Sequence, residues 1–269
     1  MLTRIPRLLL PLLLLVVASL AVSGPASAKA RRNKAKKPKA VAAVPAGPAA
    51  EAAPQAQPDA KAETKPATPT AAEVATGIEA YYAKIPGFQA KFNQVVTKKG
   101  LKKGLQRQGS VWVQRGDKAK GQAGKMRWDY PTEEIFYFCD GEILWSYERR
   151  ERLAVKVPVR NSQVYQATGY LTGESKLDRD FATQLVDSSL PGTWALKLTP
   201  KSGTQVMRSL TLVVDQKTFA VQASRLVDPI GDTTDLVWKD VQVKALPADL
   251  FQWTPPAGVT VKDLSQPQK

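Results

Sequence analysis

Apolar residues recur first at helical intervals, and from there on, with one interruption, at intervals of two. Val74, Ile78, Tyr81 and Tyr82 fall three or four positions apart. Thr70 and Glu73 precede them in the spacing of a capping box, so a helix is predicted to start at Thr70 and to stop at Pro86-Gly87. Alternation then predicts strands over Phe92–Thr97, Leu105–Arg115, Lys125–Tyr130, Glu134–Cys139, Ile143–Tyr147 and Arg152–Val157. Five more follow over Phe181–Asp187, Thr193–Thr199, Val206–Asp215, Phe219–Val227 and Thr233–Val243. Asp140-Gly141, Pro191-Gly192, Asp215-Gln216-Lys217 and Ile230-Gly231-Asp232 supply turn chemistry between them.

Short strands joined by tight turns make an antiparallel meander, and a sheet of this size curls towards a barrel. The one interruption runs from Asn161 to about Asp180. There Val164, Ala167, Thr168 and Leu171 keep helical spacing while Gly169 and Gly173 weaken it, which predicts a helical flap. With the first helix it would lid a cavity. Met126, Trp128 and Tyr130 form one alternating apolar set, and Ile143, Trp145 and Tyr147 form another. Trp194, Leu196 and Leu198, and then Leu210, Leu212 and Val214, continue the pattern. The candidate lining is Phe92, Met126, Trp128, Tyr130, Trp145, Tyr147, Val164 and Leu171; ordinary core packing is the competing reading for each.

Arg115 ends the run Val111-Trp112-Val113-Gln114-Arg115 on the same face as the two valines. A guanidinium there must find acceptors or reach water, so it either latches carbonyls at the end of a lid helix or is a solvated strand end.

Ahead of the helix the composition changes. Arg4 and Arg7 precede an apolar run from Leu8 to about Val22, and Ala26-Ser27-Ala28 supplies a cleavage site, so residues 1–28 read as a cleavable signal peptide. The run is shorter than the roughly 20 residues of a membrane span, and Pro11 and Ser19 interrupt it. Residues 29–69 read as a tail, with seven cations between Lys29 and Lys39 and then mostly Ala and Pro. Such a stretch buries too little surface to offset the entropy of ordering it. One domain, 70–269, remains. Of the formal charge of +15, seven cations lie in residues 29–39 and two in the leader, which leaves the domain only mildly basic; in an exported protein anionic headgroups, not nucleic acid, are the natural partner of the tail.

Catalytic chemistry is poorly provided for. The chain has no histidine, and its single cysteine, Cys139, permits neither a thiolate metal cluster nor a disulfide pair. Neither a G-x-S-x-G elbow nor a phosphate-binding G-x-x-x-x-G-K-[ST] run occurs. The acidic pairs Glu133/Glu134, Asp178/Asp180 and Asp228/Asp232 fall at turns or strand ends, where solvation accounts for them. No enzyme activity, cofactor or metal is expected.

Several blocks in order carry a family resemblance. Ile85-Pro86-Gly87-Phe88-Gln89-Ala90-Lys91-Phe92-Asn93-Gln94, Gly109-Ser110-Val111-Trp112-Val113-Gln114-Arg115, Met126-Arg127-Trp128-Asp129-Tyr130-Pro131 and Asp140-Gly141-Glu142-Ile143-Leu144-Trp145-Ser146-Tyr147 resemble blocks of the periplasmic outer-membrane lipoprotein carriers, the LolA family. Phe251-Gln252-Trp253-Thr254-Pro255-Pro256-Ala257-Gly258-Val259 resembles the family's closing block. The resemblance implies a mainly β fold, an incomplete, half-open antiparallel barrel of about eleven strands whose apolar cavity is covered by helices. It also implies a monomeric periplasmic carrier that takes triacylated lipoproteins from an ATP-driven inner-membrane transporter to an outer-membrane receptor. The family's latch arginine carries over onto Arg115 and its cavity tryptophan onto Trp128. The insertion Asp117–Gly124 departs from the family pattern and leaves Arg127 as the alternative latch. A periplasmic lipid- or lipoprotein-sensing regulator on the same fold is the competing binding class.

Overall fold

The computed structural model describes residues 68–159, 168–173, 176–202 and 207–265. The expected leader 1–28, the expected tail up to residue 67, and Val164 lie outside the described residues.

Helix α1 (Ala71–Lys84) begins as the capping box requires. The Glu73 amide donates to Thr70 Oγ1 at 3.2 Å and the Thr70 amide donates to Glu73 Oε2 at 2.7 Å. Its end is set by Pro86, which holds Ile85 in an extended conformation. Val74, Ala75, Ile78 and Tyr82 form its buried stripe.

Twelve strands follow: β1 (Gly87–Thr97), β2 (Leu105–Gln114), β3 (Lys125–Tyr130), β4 (Ile135–Cys139), β5 (Ile143–Glu148), β6 (Leu153–Pro158), β7 (Phe181–Val186), β8 (Thr193–Pro200), β9 (Ser209–Asp215), β10 (Val221–Val227), β11 (Thr233–Val243) and β12 (Thr260–Asp263). They form one unclosed sheet in the order β12-β6-β5-β4-β3-β2-β1-β11-β10-β9-β8-β7. Every pairing is antiparallel except that of β12 with β6. The eleven predicted strands are all present, and β12 is the addition. It is exposed along its whole length, so it carries no alternation to betray it.

The inner face of the sheet, the one α1 lies against, holds the main core. Val111 and Val113 from β2, Met126, Trp128 and Tyr130 from β3, Leu196 and Leu198 from β8, and Leu210, Leu212 and Val214 from β9 join the stripe of α1 there. The outer face of β3–β6 is apolar as well. Phe136, Phe138, Trp145 and Tyr147 stand on it, and Trp253 covers the last three with ring centroids 5.4 Å from Phe138, 5.4 Å from Trp145 and 4.9 Å from Tyr147. Trp253 belongs to a strap that leaves β11, forms a 3-10 turn at Ala248–Phe251 with Phe251 buried, and ends by pairing β12 with β6.

Candidate functional site

Aromatic side chains form a continuous path along the inner face. Tyr82 of α1 meets Tyr170 at 5.9 Å and Phe88 at 6.1 Å between ring centroids. Phe88 meets Trp238 of β11, which lies 5.7 Å from Trp128. Trp128 in turn meets Phe92 at 5.2 Å, and Phe92 meets Tyr130 at 5.1 Å. Burial pushes the phenols of Tyr82, Tyr130, Tyr137 and Tyr170 above the usual tyrosine range, so they remain uncharged at any physiological pH. An opening of about 380 Å³ lies at one end of this path, lined by Tyr81, Tyr82, Ile85, Phe88, Val221 and Trp238 among others.

Of the candidate lining residues, Phe92, Met126, Trp128, Tyr130 and Leu171 are brought together in this buried cluster. Trp145 and Tyr147 are not. The register pairs Met126 with Cys139 and Cys139 with Leu144, so the even-numbered residues of β5 face inward. Trp145 pairs with Phe138 and Tyr147 with Phe136, which places both on the outer face beneath Trp253. Alternation defines two faces of a strand without saying which is inner, and here both are covered by apolar groups. Trp238 belongs to the inner path and was not singled out from sequence, although Thr234, Leu236 and Trp238 continue one alternating set.

Arg115 follows β2 directly. Its guanidinium donates to the carbonyl of Ala83 in the last turn of α1, and its backbone amide donates to Pro86 O at 3.0 Å. A cation on the terminal carbonyls of a helix is favoured by their partial negative charge. The insertion after it folds onto itself, with the amides of Asp117 and Gln122 each donating to the other's carbonyl at 2.9 Å. Arg127 is placed elsewhere. On the outer face it donates to both oxygens of Asp129 at 2.8 and 2.7 Å and lies over the rings of Trp112 and Phe138.

Two further ties hold α1. Glu79 accepts from Lys176 Nζ at 2.9 Å and from the Leu177 amide at 2.6 Å, where the short helix α2 (Leu177–Asp180) begins. The Val221 amide donates to the Tyr82 hydroxyl at 3.4 Å. Beside the Arg115 contact, the segment 168–173 seats Leu171 in the core, and the Gly116 amide donates to Thr172 O at 3.4 Å. Gly124 permits this approach, because a Cβ there would stand 2.4 Å from Thr172 Cβ. Gly124→Ala is expected to lift the segment and raise amide hydrogen exchange at residues 170–173 at least about tenfold, leaving the β1–β11 ladder protected. Unchanged exchange would show that the segment does not depend on this contact.

A one-sided barrel, left open between β12 and β7, with a largely aromatic and aliphatic inner face beneath a tied-down helix, has the form of a container for apolar groups. The sequence profile described as "Outer membrane lipoprotein carrier protein LolA" matches residues 83–254, and the chain belongs to that family. It is 29% identical over 198 residues to an outer-membrane lipoprotein carrier protein of Nitrosomonas europaea, covering 72% of this chain and 90% of the relative. It is 27% identical over 206 residues to one of Erwinia tasmaniensis, again covering 72% and 90%. A solved LolA superfamily protein from Nitrosomonas europaea shares 13% identity with a TM-score of 0.38, covering 68% of this chain and 99% of the other.

Proposed function

We propose that this protein is a monomeric periplasmic carrier that shelters the acyl chains of triacylated lipoproteins between an ATP-driven inner-membrane transporter and an outer-membrane receptor. Family membership supports the cargo class. The observation that carries the mechanism is that α1 covers the inner face along the stripe Val74, Ala75, Ile78 and Tyr82. Acyl chains and helix compete for one surface.

The magnitudes make that competition workable. Burying three large side chains such as Val74, Ile78 and Tyr82 stabilises the closed form by roughly 5–8 kcal/mol. Burying acyl methylenes returns about 0.8 kcal/mol each, so about ten suffice to displace the helix. Three chains held with nothing opposing them would scarcely leave. The helix seat, with the Arg115, Glu79 and Tyr82 ties, supplies the opposing term, and cargo binds only by the difference.

Native mass spectrometry of the protein isolated from a cell envelope tests this reading. The expected spectrum contains a species heavier by one triacylated lipoprotein. A stoichiometric membrane-protein partner without lipid would instead assign the chain to the sensing class.

A further inference from the structure

Among the described residues the two most exposed large apolar side chains are Ile230, at 62%, and Leu101, at 61%. They occupy adjoining turns. The β1–β2 turn reads Lys98-Lys99-Gly100-Leu101-Lys102-Lys103-Gly104, and the β10–β11 turn reads Asp228-Pro229-Ile230-Gly231-Asp232. The Lys99 amide donates to Asp232 Oδ1 at 2.8 Å, Lys98 Nζ lies 2.7 Å from Asp232 Oδ2, and the Lys99 side chain runs over Gly231.

The acids of this tip face inward. Asp232 is spent on Lys98 and Lys99, and Asp228 Oδ1 accepts the amides of Ile230, Gly231 and Asp232 at 3.0, 2.7 and 2.8 Å. Both residues are buried. Lys99, Lys102 and Lys103 are exposed, and exposed Arg208 adds its guanidinium by donating to Pro229 O at 3.2 Å. The outward surface is thus two apolar points ringed by cations. Solvation alone explains the lysines but leaves Leu101 and Ile230 in water without a partner.

We propose that this tip docks on anionic bilayers, with Leu101 and Ile230 entering the headgroup layer and Lys99, Lys102 and Lys103 meeting lipid phosphates. The tip lies at the start of β2 and Arg115 beyond its end, and ten strand residues separate them by about 30 Å. Docking therefore leaves the tied end of α1 clear of the bilayer. The inference goes beyond the carrier reading and does not require cargo.

The full chain is mixed with phosphatidylcholine vesicles with and without phosphatidylglycerol, and sedimentation is compared for three proteins. The parent is expected to bind only the anionic vesicles. Leu101→Ser combined with Ile230→Ser keeps every charge and is expected to bind about fivefold more weakly; Lys99→Glu with Lys102→Glu and Lys103→Glu about tenfold or more. A polarity-sensitive dye on Leu101→Cys, with Cys139 buried and protected, is expected to shift to the blue on anionic vesicles alone. If the Ser variant sediments like the parent and the dye does not shift, the basic run 29–39 carries the binding and the proposal fails. It fails equally if the parent ignores anionic vesicles. Since the vesicles contain no lipoprotein, neither result bears on the carrier reading.

Discussion

Arg115→Leu is expected to load cargo normally and to deliver it to an acceptor about tenfold to a hundredfold more slowly. The guanidinium donates to a terminal carbonyl of α1, and that bond exists only while the helix is seated. A charged hydrogen bond of this kind contributes about 1.5–3 kcal/mol, and each 1.4 kcal/mol is a factor of ten in an equilibrium. Removing it weakens the closed, empty form and leaves the cargo-bound form untouched, so retention rises and release falls. The measurement is transfer of a preloaded lipoprotein to acceptor vesicles carrying the receptor. Delivery at the parent rate would refute the latch. Arg127→Leu separates the two arginines: its partners Asp129, Trp112 and Phe138 are all on the outer face, so delivery should persist.

Phe92→Ala is expected to lower the melting temperature by about 10 °C. The ring is 1% exposed, wedged between Trp128 and Tyr130. It also passes so close to Gly109 that a Cβ there would lie 2.6 Å from Phe92 Cζ. Truncating a buried phenylalanine costs about 3–5 kcal/mol through lost contacts and a residual cavity, and a domain of this size loses about 2–4 °C per kcal/mol. Thermal unfolding followed by near-ultraviolet dichroism measures it. A midpoint within two or so degrees of the parent would mean that the inner face collapses onto the gap.

The two predictions rest on residues of unequal visibility in the sequence. Phe92 lies in an alternating run, and α1 announces itself through Thr70 and Glu73, because capping and alternation are local properties that the backbone obeys directly. Arg115 was visible as a cation ending an apolar strand, but its acceptor was not, since Ala83 and Arg115 meet only once the sheet has folded under the helix. Trp145 and Tyr147 misled for a related reason. Their set is as apolar as that of Met126 and Trp128, and only Trp253 of the covering strap, a little over a hundred residues further along, makes it an outer core. Trp238 is hard to single out because the set Thr234, Leu236 and Trp238 runs on into the polar residues Asp240 and Gln242. β12 left no periodic trace, being held through its backbone by β6.

That last pairing has a temporal side. The strand Leu153–Pro158 waits for a partner, Thr260–Asp263, that lies about a hundred residues later in the chain. A polypeptide emerging from a ribosome can thus pair β6 with β5 long before anything can lie along the other edge of β6. Until then its hydrogen-bonding edge is open to any stray extended segment. The final assembly step is therefore tied to complete emergence, and a chain stalled before residue 260 would be a sticky one.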